Sequence, residues 1–170
     1  MSRKIQAQKA MMMSLLFALL LMTTACPDTN DPQCTMEQLK TELTEIRQSG
    51  EKQKRNKPWP VELRERAEAG RDKVTTEWLR CTRKKAMEYL ALSETAEAVA
   101  DASLSVCSEW SFAYKVWNST VFQAAGSSVI NANETYAIVQ KRAKEDLIAF
   151  VMDMRVRRSR QGAPAASGQN

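Results

Sequence analysis

Apolar residues recur at intervals of three and four through most of this chain, which is the spacing of one face of an α-helix. The first stripe consists of Met36, Leu39, Leu43 and Ile46. Thr35, with Gln38 three residues later, predicts a capping box at its start, and Gly50 predicts its end. These features predict a first helix over roughly 35–50.

A second stripe begins near Pro60, because proline is tolerated in the first turn of a helix. Its apolar face consists of Leu63, Ala67, Val74, Trp78 and Cys81. Gly70 interrupts this face and is the predicted weak point of the helix, at a cost of about 1 kcal/mol relative to alanine. Trp59, between two prolines in the basic segment 51–60, is expected to pin that segment to the core.

A third stripe begins near Ser93 or Thr95, either of which would serve as an N-cap, after a turn predicted near 91–93. Along its length the stripe changes from small to aromatic residues: Ala96, Val99, Ala100, Ser103, Cys107, Trp110, Tyr114, Trp117 and Val121. We interpret it as core, because small residues allow a neighbouring helix to approach closely. The pattern predicts one continuous helix here.

The dipeptides around Gly126-Ser127-Ser128 predict the next break, with Asn131 and Asn133 as candidate caps. A fourth stripe follows, made of Tyr136, Ala143, Leu147, Phe150, Val151 and Met154. A single helix from about 95 to 157 is the alternative. The fold class is therefore predicted to be all-α, with about four helices in a small bundle, and 158–170 to be a disordered tail.

The N-terminal segment 1–25 has the three parts of an export signal: a basic stretch, the apolar run from Ala10 to Met22, and Thr-Thr-Ala before Cys26. The run is short for a membrane span, which needs roughly 20 residues, although a retained anchor is the alternative. We therefore predict a signal peptide over 1–25 and a single helical domain over 26–157. The expected location is the periplasm or outer membrane of a Gram-negative bacterium.

The formal net charge of +5 is concentrated at the two ends of the chain. Seven basic residues lie there: Arg3, Lys4, Lys9, Arg155, Arg157, Arg158 and Arg160. The other 18 of the 25 basic residues are outnumbered by the 20 acidic ones, which leaves a net charge of −2 for the rest of the chain. A nucleic-acid partner is not expected, because no basic domain face is predicted.

Export permits disulfides, and four cysteines allow three complete pairings. Cys81 and Cys107 lie about a dozen residues on either side of the predicted turn, and both fall on apolar stripes. We therefore predict that they pair and close a helical hairpin, a constraint that stabilises the fold by about 3 kcal/mol.

Two alternative modifications are predicted for Cys26. Residues 23–26, Thr-Thr-Ala-Cys, resemble the lipobox of bacterial lipoproteins at Ala25 and Cys26 and depart from it at Thr23. Cys26 would then carry a lipid and associate the protein with a membrane. Otherwise it would form a second disulfide with Cys34.

Reactive groups are scarce. The chain has no histidine, no Cys-x-x-Cys pair and no glycine-rich phosphate loop. Carboxylate pairs such as Glu97 with Asp101, or Glu145 with Asp146, are interpreted as exposed charges. We expect no catalytic, cofactor-binding or metal-binding residues, no cofactor and no enzymatic activity.

The stretch from Trp78 to Trp117, WLRCTRKKAMEYLALSETAEAVADASLSVCSEWSFAYKVW, resembles a pattern in small uncharacterised exported proteins of Proteobacteria. In these, a cysteine-bearing helix precedes a helix of the form ETAE-VADA-L--CS. A looser similarity, of architecture only, is to the LprI-like lysozyme-inhibitor family, whose members are exported, helical and disulfide-linked.

We therefore expect a non-enzymatic envelope protein that binds or scaffolds a protein partner. The alternative is an inhibitor of an envelope enzyme such as a lysozyme, acting through the basic segment 51–60. Membrane association through a lipid on Cys26, or through the arginines after Met154, is compatible with either hypothesis.

Overall fold

A computed structural model describes residues 31–52 and 57–162 of the chain. Five helices account for most of these residues: α1 (Pro32–Glu51), α2 (Val61–Tyr89), α3 (Ala96–Val106), α4 (Ser108–Ala124) and α5 (Val129–Gly162). No strand occurs within these two ranges. The all-α prediction is confirmed, with five helices in place of about four. The predicted signal peptide and Cys26 lie outside the described residues.

The chain divides into two compact units, with the boundary between Glu37 and Gln38 inside α1. In the first unit, the carboxylate of Asp31 accepts a hydrogen bond from the backbone N–H of Gln33, at 2.9 Å. Because Asp31 caps and Pro32 opens this helix, α1 begins three residues before Thr35, and the predicted capping box is wrong.

In the second unit, Trp59 fixes the segment that leads into α2. Its backbone N–H donates to the carbonyl of Ala124, at 2.8 Å. Its indole ring lies against Gly50, where any Cβ would overlap the ring. The expectation that Trp59 pins this segment is confirmed, while 53–56 lie outside the described residues.

Gly70 lies where α2 packs against Trp117 of α4. It is buried, and a Cβ at this position would overlap the six-membered ring of Trp117. The sequence presents Gly70 only as a cost to helix propensity. In the structure, the missing side chain provides the space that the indole of Trp117 occupies.

The third predicted helix is interrupted at Cys107, so the prediction of one continuous helix is wrong. Cys107 lies outside the helical region, with φ −94° and ψ 21°, and separates α3 from α4. Backbone hydrogen bonds still connect the two helices, because Cys107 donates to Ser103 and accepts from Ser111, both at 3.2 Å. The predicted cap at Thr95 is confirmed: its Oγ1 accepts from the N–H of Ala98.

Gly126 lies in the turn that follows α4, and its φ is 73°. This left-handed conformation favours glycine. The predicted break is confirmed, and the alternative of one helix from 95 to 157 is wrong. Asn131 and Asn133 are not caps, because α5 begins at Val129 and the hydroxyl of Ser128 accepts from the N–H of Asn131. The helix extends to Gly162, and 163–170 lie outside the described residues.

The core of the second unit includes two groups of buried residues. One is aliphatic and joins α2, α3 and α5 through Ala86, Val99, Ala100, Leu147 and Val151. The other is aromatic and contains the buried Trp78, Trp110, Tyr114 and Trp117. None of the five helices combines the length and apolar content that a membrane crossing requires.

Candidate functional site

An open groove of about 560 Å³ lies between α3, α4 and α5, with Trp78 of α2 among its lining residues. We call it the α3–α5 groove. One wall is apolar, with Leu104 from α3 and Phe112 from α4. Phe112 is 65% exposed, although its neighbour Ser111 is buried. The groove therefore presents a large aromatic side chain to the solvent beside a concave surface.

Aromatic rings connect this groove to the core. Trp78 packs on Tyr114 with ring centroids 5.7 Å apart, and Tyr114 stacks on Tyr136 at 6.1 Å. Trp78 and Tyr136 line the groove, and Tyr114 lies between them. Because Trp78 and Tyr114 are buried, these groove residues are held in place by the packed interior rather than by solvent-exposed contacts.

Three polar side chains form a hydrogen-bonded cluster in the groove. Tyr136 and Gln140 are four residues apart on α5 and so share one face of that helix. Gln140 Nε2 donates to the hydroxyl of Tyr136 at 2.6 Å and to that of Ser111 at 3.2 Å. The two hydroxyls are themselves 2.9 Å apart. This polar cluster links α4 to α5 across the groove.

The polar cluster has more donors than it uses. The amide of Gln140 has two hydrogens, and each hydroxyl has one. The three contacts of the cluster use at most three of these four hydrogens. At least one hydrogen is therefore left without an acceptor within the cluster.

Trp78 adds a second unused donor. Its side chain is 2% exposed, and its Nε1 is buried without a hydrogen-bond partner among the described residues. A buried donor that makes no hydrogen bond costs about 1–3 kcal/mol. The unpaired N–H of Trp78 therefore lowers the stability of the fold, and its burial keeps it out of reach of a ligand in the groove.

Lysines form the charged rim of the groove. Lys144 contacts Asp101 at 2.8 Å and Glu97 at 3.3 Å, and Lys141 contacts Glu145 at 3.9 Å. The hydrogen bond from Lys144 to Asp101 raises the pKa of the lysine above its ordinary value. The carboxylates of Glu97 and Asp101 are exposed and serve here as ion-pair partners for Lys144.

The disulfide between Cys81 and Cys107 is present, with Cα atoms 6.0 Å apart, and this prediction is confirmed. Cys107 is 1% exposed and directly precedes α4. The bond therefore ties α2 to the residue from which α4 starts. Ser108, Ser111 and Phe112, which line the groove, follow this attachment point within about one and a half helical turns.

Cys34 is bonded in a disulfide. Its predicted partner, Cys26, lies outside the described residues, so the choice between a second disulfide and lipidation of Cys26 stays a prediction.

A second, smaller groove of about 440 Å³ lies between α2 and α5. It is lined by Met87, Leu90, Met154, Arg157, Arg158 and Gln161. Arg155 lies outside it and donates to the backbone carbonyls of Leu92 and Glu94, at 3.3 Å and 2.7 Å. One of the four C-terminal arginines therefore holds the α2–α3 turn, a role that the sequence did not suggest.

Within 31–52 and 57–162, no group of three or more Cys, Asp or Glu side chains is placed to hold a metal ion. Comparison with family models, with curated proteins and with solved structures finds no match for this chain. The resemblances to small exported proteins and to lysozyme inhibitors stay predictions.

Proposed function

We propose that this protein is an exported, non-enzymatic binding protein of the bacterial envelope, and that the α3–α5 groove binds its partner. The observation that carries the proposal is the position of Phe112, which is 65% exposed at the wall of the groove. A single exposed apolar side chain is ordinary on a protein surface. Phe112 differs because it adjoins a concave surface that the buried Trp78 and Ser111 connect to the core.

Exposed aromatic residues beside a pocket are typical of binding hot spots. Covering the ring of Phe112 with a partner would contribute about 1.5–3 kcal/mol. The half-buried Leu104 extends the apolar wall, and the polar cluster of Ser111, Tyr136 and Gln140 supplies directional contacts. An apolar anchor with a few polar groups is the usual composition of a binding site.

Two further observations support export and the absence of catalysis. Disulfides persist in oxidising compartments, so the Cys81–Cys107 bond favours an envelope location. The chain has no histidine, which is the commonest general base of enzymes. A binding role therefore needs fewer assumptions than an enzymatic one.

The proposal is tested by placing a photo-crosslinking amino acid at position 112 of the full-length protein, expressed in a Gram-negative bacterium. Position 130 is the matched control, because Ile130 is 70% exposed and does not line the groove. We expect discrete covalent adducts from position 112 that position 130 does not give, identified by mass spectrometry.

The same adducts should disappear when Leu104 is replaced by aspartate, because a charge on the apolar wall would oppose an apolar partner. Absence of adducts at position 112, or identical adducts at both positions, would overturn the proposal. An adduct with a lysozyme-class enzyme would make the inhibitor hypothesis the specific form of this function.

A further inference from the structure

We infer that the second groove, between α2 and α5 and here called the α2–α5 groove, binds the surface of a membrane that contains anionic phospholipids. This inference goes beyond the proposed function, because it concerns a different surface. On α5, Lys144 lines the α3–α5 groove and Met154 lines the α2–α5 groove. The helix rises by about 15 Å between these two residues, so the two grooves are separate surfaces.

Part of the α2–α5 groove is apolar. Of the described residues that line it, Met87, Leu90 and Met154 are apolar. Leu90 packs against the aliphatic core, and Met87 is 45% exposed. Methionine side chains are flexible and polarisable, and they recur on surfaces that bind partners of varied shape. The groove therefore presents to the solvent an adaptable apolar surface, which suits acyl chains because these have no fixed shape.

The remainder of the described lining is cationic or neutral: it consists of Arg157, Arg158 and Gln161, with no acidic residue. Arg157 forms an ion pair with Asp153 at 2.9 Å, which offsets part of its charge. Arg158 is exposed and has no ion-pair partner in the part of the chain that the structure describes. A guanidinium matches the geometry of a phosphate and binds it through two parallel hydrogen bonds. Arg158 is therefore the group best suited to contact a phosphate.

The cationic and apolar parts of the lining lie side by side. Met154, Arg158 and Gln161 follow one another at intervals of four and three residues, so they share one face of α5. A ligand that covers this face must carry an anionic group next to an apolar one. Anionic phospholipids have this arrangement at a membrane surface, and basic helical segments with apolar side chains bind such surfaces. A free inorganic anion would contact the arginine and leave the apolar side chains uncovered.

The structure also determines which of the C-terminal arginines are available. Arg155 is half-buried and donates to the carbonyls of Leu92 and Glu94, so the fold already uses it. Arg160 lies in the last turn of α5 and does not line the groove. Its charge offsets the negative end of the helix dipole. The membrane contact therefore depends mainly on Arg158, with a smaller contribution from its ion-paired neighbour.

The experiment measures the binding of the full-length protein to vesicles of phosphatidylcholine, with and without phosphatidylglycerol, by flotation at several lipid concentrations. The anionic preference is the ratio of the two partition coefficients. Residues 1–25 are present in every protein compared, so they contribute equally to the wild type and the variants. We expect the wild type to prefer the anionic vesicles, and this preference to decrease at high salt because salt screens the charges.

Two variants with matched controls locate the contact. Arg158→Gln should lower the anionic preference about fivefold, which is the contribution of one arginine near an anionic surface. Arg142→Gln is its control, because Arg142 is also exposed on α5 without an ion-pair partner among the described residues, and does not line the groove. Its effect should stay below about twofold. Met87→Gln should weaken binding about threefold or more. Met152→Gln, at a side chain that is 58% exposed outside the groove, should have no effect.

Equal binding of the wild type to both kinds of vesicle would overturn the inference, and so would equal effects of a variant and its control. Displacement from the vesicles by inorganic phosphate at constant ionic strength would also overturn it, because the groove would then bind a free anion. A photo-crosslinking amino acid in place of Gln161 should give lipid adducts in the bacterial envelope. Adducts with an acidic protein instead would contradict the inference. The crosslinks expected from position 112 do not depend on any of these results, so the two proposals fail separately.

Discussion

Two helical hairpins in this protein are closed by different means. The α2–α3 hairpin has a covalent bond between Cys81 and Cys107, and Arg155 holds its turn. The α4–α5 hairpin has a glycine turn at Gly126 and a buried hydrogen bond, in which Asn118 Nδ2 donates to the carbonyl of Ala132 at 3.0 Å.

The lengths of the helices explain the difference. Helix α3 has 11 residues, whereas α4 and α5 have 17 and 34. Helices shorter than about 12–15 residues are marginal without tertiary support. The covalent bond therefore supports the shortest of these helices, and the hairpin built from longer helices carries the polar side chains of the groove.

The largest expected effect comes from removing the covalent closure. Replacing Cys81 and Cys107 together by alanine should lower the free energy of unfolding by about 3 kcal/mol, because the unfolded chain is no longer constrained. Urea denaturation of both proteins measures this difference. Substitution is preferable to a reductant, which would also open the disulfide of Cys34. A loss below about 1 kcal/mol would mean that the bond contributes little to the stability of the fold.

The contact between the two hairpins, where Gly70 meets Trp117, has the next largest expected effect on stability. Gly70→Ala gains about 1 kcal/mol of helix propensity but forces a methyl group into the ring of Trp117. Overpacking costs about 1–3 kcal/mol, and here the contact is with a rigid ring, so we expect net destabilisation of about 2 kcal/mol. The control is Ala69→Gly on the exposed side of α2, which should lose only about 1 kcal/mol. A Gly70→Ala protein more stable than the wild type would contradict the packing described for this contact.

The non-covalent closure should be weaker than the covalent one. Asn118→Ala removes the buried donor to the carbonyl of Ala132. The free energy of unfolding should then fall by roughly 1.5 kcal/mol, because the carbonyl loses its partner. Asn133→Ala changes an exposed asparagine of the same hairpin. Its stability should stay within roughly 0.5 kcal/mol of the wild type, as is usual for surface substitutions. Equal values for the two variants would mean that this hydrogen bond does not close the hairpin.

The smallest effect concerns pH. Burial raises the pKa of Tyr114, against a smaller opposite effect of Arg71, and Asp72 raises it further. The unfolded chain therefore loses this proton first, near pH 10, and the contribution of Tyr114 to stability falls as the pH rises from there through the folded-state pKa. Tyr114→Phe should reduce the decline in stability above pH 10 and leave the pH 6–8 region unchanged. Parallel curves for the two proteins across the alkaline range would contradict this assignment.

Local signals predicted the first hairpin well. The apolar stripes of α2 and α3, the cap at Thr95 and the spacing of Cys81 and Cys107 all act within a few helical turns. The break at Cys107 was missed because no proline or glycine marks it. The start of α5 was misplaced because asparagine and serine are comparable caps, and only the structure shows that Ser128 is used.

The groove could not be predicted from periodicity. Trp78, Ser111 and Tyr136 come from three helices and are far apart along the chain, so their proximity depends on how the helices pack. Trp78 and Tyr136 fall on predicted core stripes, so the sequence does not indicate that they line a groove. The one local signal was the four-residue spacing of Tyr136 and Gln140 on α5.

The central claim is that the Cys81–Cys107 bond holds the short helix α3 on the bundle, while the α4–α5 hairpin closes without it. Native-state hydrogen exchange tests this most directly, by comparing the wild type with the Cys81→Ala, Cys107→Ala protein. We predict that amide protection falls most in residues 96–107 and least in 118–150. Uniform loss along the chain, or loss concentrated in 118–150, would contradict it.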